Sequence, residues 1–284
     1  MTRVTSEIER VHPTLDGFAL ILGASSGFGE ACALSLAGAG MHVIGVHMDR
    51  RSTLAHVDEL QAKIRGLGRE AWFYNLNAAD EIKRREVLDD VKRRLDERGG
   101  RERIRVLHHS LAFGTLLPLV ADGPQGDERA KTEEASQKQL EMTLDVMANS
   151  LVYWTQDLYR RALFHEHARI FAMTSTGAQT IWPKYGVVSA AKAALESHVR
   201  ALAVELGPRG ITANAICAGV TDTPALRKIP GNDGLIATAL RKNPSHRLTV
   251  PADVGRALVA LSQPCLYWMN GNTINVDGGE AVAG

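Results

Sequence analysis

Cysteine is scarce in this chain: Cys32, Cys217 and Cys265 are the only three in 284 residues, far apart and without metal-ligand spacing. That excludes a disulfide framework and a cysteine-built zinc site, and makes buried thiols in a reducing cytosol the expectation. Surplus charge is missing as well. A formal net charge of +1 lacks the basic excess with which nucleic-acid binders meet phosphates, and runs such as Lys83 to Arg94 alternate in sign as solvated helix faces do. No apolar run reaches the roughly 18 residues needed to span a bilayer, and the opening M-T-R-V-T-S-E-I-E-R-V-H-P contains no apolar core of signal-peptide length. The expectation is a soluble, cytoplasmic protein with neither nucleic acid nor membrane as partner. Repeats, low-complexity segments and composition shifts are also lacking. A polar leader over 1–16 and one domain over 17–284 are therefore expected.

What is present is an alternation of apolar runs with helical periods. Strands are predicted at 18–22, 41–46, 71–76, 104–108, 168–174, 211–216 and 273–276. Helices are predicted at 30–39, 53–66, 81–98, 140–164, from Tyr185 to about Leu206, and at 251–262. Such alternation gives βαβ units, hence a doubly wound parallel α/β sheet with helices on both faces, the Rossmann arrangement. The polar stretch 122–138 reads as an exposed loop, and 225–247, mixing Pro and Gly with Leu226, Ile229, Leu235, Ile236 and Leu240, as a lid of one or two short helices.

Between the first strand and helix stands G-A-S-S-G-F-G. A pyrophosphate there needs a tight turn, close backbone approach and helix N–H groups facing the anion, which Gly23, Ser25, Ser26, Gly27, Phe28 and Gly29 can supply. A plain strand-to-helix turn would use the same glycines. At the end of the second strand, where a carboxylate would meet ribose hydroxyls, the chain has His47, then Met48, Asp49, Arg50 and Arg51. The arginines suit a 2′-phosphate, so NADPH is expected over NADH, with Asp49 weighing the other way. Asn77 and Ser110 follow strand ends where ligands bind in such sheets, Asn77 serving either an adenine or a turn. His108 and His109 read as ordinary loop or core histidines.

The stretch from Ser175 to Lys192 holds a hydroxyl, a phenol and an ammonium. Residues seven apart on a helix share a face to within roughly 20°, so Tyr185 and Lys192 point the same way about 10 Å apart. The ammonium is expected to lower the phenol pKa and make Tyr185 a usable acid, with Ser175 donating to the same substrate oxygen.

From Phe18 to Gly279 the chain resembles the short-chain dehydrogenase/reductase family. The resemblance rests on the glycine turn, the Ser175/Tyr185/Lys192 set, the run N-A-I-C-A-G-V-T-D-T around Asn214 to Thr223, and the terminal D-G-G. Most members place the tyrosine four residues before the lysine, where this chain has Val188. The Tyr-x6-Lys spacing resembles the divergent enoyl-acyl-carrier-protein reductases, especially the NADPH-using type called enoyl reductase III. A geometric reason supports that branch: three residues move the donor about 4.5 Å along the helix, toward a thioester oxygen two carbons from the atom receiving hydride. The resemblance implies Tyr185 as proton donor to the enolate oxygen and Lys192 as ribose ligand. It implies Gly219, Val220, Thr221 and Thr223 beside the nicotinamide, an enoyl thioester substrate that an acyl carrier protein could present, and a homotetramer.

Departures are H-S-L-A at 109–112 for the usual N-N-A-G, Met147 for the asparagine that supports the lysine, and Ala218 for the proline before Gly219. Ser175 keeps a carbonyl or alcohol oxidoreductase as the alternative, and a non-catalytic dinucleotide-binding regulator is a further one. Ile181 and Trp182 with the lid are expected to wall an acyl chain, and Arg227, Lys228, Arg241 and Lys242 either meet an acidic carrier or are plain solvated charge.

Overall fold

A computed structural model describes residues 15–123 and 133–283; most of the expected leader and the centre of the expected 122–138 loop lie outside the described residues. Seven strands form one parallel sheet in the order β3-β2-β1-β4-β5-β6-β7. They are β1 (Phe18–Leu22), β2 (His42–His47), β3 (Ala71–Asn75), β4 (Ile104–His109), β5 (Phe164–Thr174), β6 (Thr212–Ala218) and β7 (Thr273–Val276). Every residue of β1, F-A-L-I-L, is fully buried, because a parallel sheet covered on both faces selects continuous rather than alternating apolar runs.

One face is covered by α1 (Gly27–Gly38), α2 (Leu54–Gly66) and α8 (Pro251–Leu261), whose Cys32, Leu36, Leu60, Ile64, Val254 and Leu258 pack on Ile21, Val43 and Ile216. The other face carries α3 (Glu81–Glu97), α5 (Ser150–Arg160) and α6 (Gly186–Leu206), with Leu88, Val91, Trp154, Leu158, Leu195 and Val199 against Leu20, Leu107 and Ile170. A buried ion pair at 2.7 Å, Arg84 to Asp157, ties α3 to α5, and the Trp154 indole donates to the Ala78 carbonyl at 2.8 Å. Leu15, in the expected leader, is buried and donates its N–H to the Ala39 carbonyl, so this part of the leader packs on the domain.

The expected helix over 140–164 is corrected. It is α4 (Gln137–Leu144), a π turn at Asp145–Asn149 and α5; Ala162 then turns the chain with φ 53°, and Phe164 already belongs to β5. The helical apolar period runs smoothly through both breaks, so it hides them. The expected lid holds a short 3₁₀ turn at Leu226–Lys228 and α7 (Asn232–Lys242). Two cysteines are buried as expected, but Cys265 is exposed. No helix among the described residues is long and apolar enough to cross a membrane.

Candidate active site at the strand ends

After β1 the chain runs outward through β2 and β3 and returns on the other side as β4. The strand order therefore reverses between β1 and β4, and a crevice opens at the strand ends between the glycine turn, the segment after β2 and the loop after β6. The glycine turn lies there. Gly23 has φ 87°, and a Cβ on it would stand 2.4 Å from the Ser110 carbonyl oxygen. A Cβ on Gly29 would stand 1.9 Å from the Gly23 carbonyl oxygen, so only glycine lets α1 start this close to β1. Ser26, at the helix cap, makes no side-chain capping bond and leaves the first helix N–H groups to another acceptor. Ser25, Ser26 and Gly27 line the crevice with Asp49 and Thr223.

The remaining expected cofactor residues divide. His47 is buried, its Nδ1 3.0 Å from the Asp49 carboxylate, and it is Asp49 rather than His47 that lines the crevice. Arg50 is exposed beside it. Asn77 is exposed and accepts the Ala79 N–H at 3.0 Å, the turn role. Ser110 backs Gly23 and donates its N–H to Leu22 at 2.8 Å.

A cavity of about 220 Å³ adjoins the crevice. Ser175 and Tyr185 line it together with Phe28, Gly219, Val220, Thr221 and Thr223, and Thr223 is common to cavity and crevice. The expected hydroxyl, phenol and second strand-end loop are thus brought together around one space. Tyr185 is the N-cap of α6 rather than a residue inside it, its carbonyl accepting the Ser189 N–H at 2.8 Å. Its ring leans on Gly177, where a Cβ would lie 2.5 Å from the ring edge. Ser175 Oγ is buried, with no hydrogen-bond partner among the described residues.

The expected lowering of the phenol pKa is corrected. Burial pushes Tyr185 upward, and the neighbouring Ser175 hydroxyl offsets this only in part. Lys192 does not engage the phenol: its Nζ is buried and donates to the Met173 carbonyl at 2.6 Å. Burial brings the lysine down to about 8, against a smaller upward pull from Glu196. Glu196 was not singled out from sequence, though it stands four residues after Lys192 on one helix face and accepts from Thr174 Oγ1 at 2.7 Å. Val188, at the family's usual tyrosine position, is buried against Met147 and Ala191. A second residue without a sequence signal is Glu280, whose carboxylate accepts the Val220 N–H at 3.2 Å.

Apolar walls come from Ala225, Leu226, Ile229 and Leu235 of the lid region and from Trp182, whose indole donates to the Pro230 carbonyl at 3.2 Å. Ile181, expected beside Trp182, points to solvent at 65% exposure. Arg227 is paired with Asp222 of its own loop at 2.7 Å. No cluster of metal-ligating side chains occurs among the described residues. The glycine cradle, the open helix cap and the buried Ser175 hydroxyl without a partner among the described residues fit a dinucleotide, whose pyrophosphate α1 would hold and whose nicotinamide the cavity could take.

A doubly wound parallel sheet with this glycine turn, and a Ser/Tyr/Lys set at the strand ends, defines a short-chain dehydrogenase/reductase, an NAD(P)-dependent oxidoreductase. The chain belongs to the family whose model is described as Enoyl-(Acyl carrier protein) reductase, matched over residues 23–280. It is 28% identical to the NADH-type enoyl-acyl-carrier-protein reductase FabI of Aquifex aeolicus, over 70% of this chain and 69% of that protein. It is 29% identical to the (2S)-[(R)-hydroxy(phenyl)methyl]succinyl-CoA dehydrogenase subunit BbsD of Thauera aromatica, over 93% and 96%. Among solved structures, the NADH-type enoyl reductase of Aquifex aeolicus superimposes with a TM-score of 0.76 at 24% identity, covering 94% of this chain and 97% of that one. A short-chain dehydrogenase of Burkholderia cenocepacia in complex with NADP gives 0.74 at 25%, covering 93% and 97%.

Proposed function

We propose that this chain reduces the 2,3 double bond of an enoyl thioester with NADPH. The observation that carries this reading is the placement of Tyr185 at the start of α6, over an apolar-walled cavity, while the position four residues before Lys192 is a buried valine. The phenol thus stands one turn further from the ammonium than in a ketone-reducing arrangement. A reduced nicotinamide dinucleotide, when bound, supplies the hydride. The chain's residues do the rest. Tyr185 donates its phenolic hydrogen bond and then its proton to the thioester oxygen on which charge develops, while Ser175 Oγ offers a second donor to the same oxygen. Lys192, whose Nζ donates one bond to the Met173 carbonyl, would turn its remaining N–H groups to the ribose. The lid residues and Trp182 cover the acyl group and exclude water.

NADPH is the proposed reductant because Arg50 and Arg51, exposed just after β2, could reach a 2′-phosphate, and the Asp49 carboxylate is 3.0 Å from His47 Nδ1. An acyl carrier protein would meet Lys228, Arg241 and Lys242, exposed around the lid. A homotetramer is the proposed assembly.

A carbonyl or alcohol oxidoreductase is the second reading, favoured by one observation: a buried Ser175 hydroxyl beside the phenol can hold the oxygen of a ketone. Initial rates of NADPH oxidation with crotonyl and acetoacetyl thioesters separate the two. Turnover of the enoyl thioester supports the first reading, and turnover of the ketone alone replaces it with the second. Should neither turn over, a Tyr185→Phe variant that keeps full cellular function would point to a dinucleotide-binding regulator.

A further inference from the structure

His109, at the end of β4, is fully buried and plays no part in the chemistry above. Its Nε2 lies 2.9 Å from Ser150 Oγ, which in turn lies 2.7 Å from the Val146 carbonyl oxygen. A carbonyl only accepts, so the serine hydrogen goes to Val146 and the serine oxygen must accept from the ring. That places the ring proton on Nε2. Burial holds the imidazole neutral, pushing it down to about 3 against smaller upward pulls from the His109 and Val146 carbonyls, and with the proton on Nε2 the Nδ1 carries the lone pair. That nitrogen is buried and has no partner among the described residues.

The π turn builds this arrangement. The Ser150 N–H reaches back five residues to the Asp145 carbonyl, which leaves the Val146 carbonyl to the serine hydroxyl. Across the sheet His109 is in register with Ala172, next to Met173, whose carbonyl receives Lys192 Nζ. The Lys192 charge is near enough to oppose protonation of His109. An ammonium has three N–H groups, and the Met173 carbonyl takes one.

We propose that His109 is a positioning residue for Lys192: its Nδ1 lone pair accepts from the ammonium across one bridging water, and Ser150 fixes the tautomer that allows it. This rests on reading Lys192 as the ammonium that holds the cofactor. His109 and Ser150 then supply what Met147 cannot at the position where related enzymes carry an asparagine. The titratable groups on the neighbouring elements are His108 on β4, Tyr185 at the cap of α6, Glu196 on α6 and Cys217 on β6, and of these Glu196 acts on the ammonium. His108 is held neutral by burial, and the Cys217 thiol is pushed up to about 12, so Glu196 is the charged neighbour among them. Removing the Nδ1 acceptor disfavours the ammonium and lowers the pH at which Lys192 loses its proton.

The test follows NADPH binding by nicotinamide fluorescence across pH, with NADH in parallel, for the unaltered protein, His109→Gln and His109→Asn. A glutamine amide nitrogen stands near the Nε2 position and keeps the Ser150 bond; an asparagine amide oxygen stands near Nδ1 and keeps the acceptor. The expected result is a midpoint lower by about one unit in His109→Gln and within about 0.3 unit of the unaltered protein in His109→Asn. An unshifted glutamine variant, or an asparagine variant shifted as far, overturns the proposal and leaves His109 as a packing partner of Ser150. Because the readout is binding, a chain that reduced ketones would fail the thioester assay and still pass this one. Should the glutamine variant not fold, a long-range ¹H–¹⁵N spectrum of the unaltered protein and of Lys192→Met decides. A proton on Nε2 and an Nδ1 resonance that moves in the variant support the proposal; a proton on Nδ1, or an unmoved resonance, overturns it.

Discussion

Replacing Lys192 by methionine should stabilise the cofactor-free protein at neutral pH while removing activity. Burial lowers this lysine from 10.5 to about 8, and at about 1.36 kcal/mol per unit the folded state resists the proton by about 3 kcal/mol. Below pH 8 both folded and unfolded chains carry the proton, so the penalty is fully present. Between about 8 and 10.5 the unfolded chain binds more protons, stability rises with pH, and the penalty is gone above that window. Methionine keeps the length of the side chain without its charge. Against the gain stands the Met173 carbonyl, which loses its donor at a cost of roughly 1–2 kcal/mol, while the pull of Glu196 is already contained in the lysine's shift. The net gain at pH 7 is about 1–2 kcal/mol, or about 2 to 6 °C in Tm. Paired thermal melts by circular dichroism at pH 7 and pH 10 read it directly. The variant should melt higher at pH 7, and the difference should vanish or reverse at pH 10. A variant that melts lower at pH 7, or a difference equal at both, would refute the reasoning that burial dominates this charge.

Three further substitutions probe the site. Gly177→Ala puts a Cβ 2.5 Å from the Tyr185 ring, so kcat should fall by about tenfold or more while cofactor Kd, measured by fluorescence, stays within about twofold. Gly29→Ala collides with the Gly23 carbonyl at 1.9 Å; the glycine turn must open, and the variant should lose cofactor affinity and several degrees of Tm, as titration and melting would record. Asp49→Asn removes the anion from the crevice, and the ratio of kcat/KM for NADPH over NADH should rise about tenfold. An unchanged ratio would mean that the Asp49 carboxylate, 3.0 Å from His47 Nδ1, does not face the 2′ position.

The sheet was legible because its strands are continuous apolar runs and its helices carry a clear 3.6 period, so β1, β7 and the glycine turn fell where the residues place them. Ser175, Tyr185 and the Gly219–Thr223 loop were legible through spacing that brings strand ends and a helix start together. The π turn was not, since Met147, Leu151 and Trp154 keep an unbroken apolar stripe through it. The direction of Lys192 was hidden for another reason: helical spacing says which face a lysine occupies but not which carbonyl, here that of Met173, its long chain will find. The phenol shift followed from that, because with the ammonium turned aside burial outweighs the Ser175 hydroxyl. Contacts such as Glu280 to Val220 or His109 to Ser150 join distant segments, and no local pattern announces them.

The central claim is that hydride and proton go to different atoms of an enoyl thioester. It is tested most directly by reducing crotonyl thioester with NADPH deuterated at the transferred position and locating the label by mass spectrometry. Deuterium is expected on carbon 3 of the butyryl product, with a solvent hydrogen on carbon 2. No butyryl product, together with deuterium on the carbinol carbon of 3-hydroxybutyryl thioester when acetoacetyl thioester is offered, would contradict it.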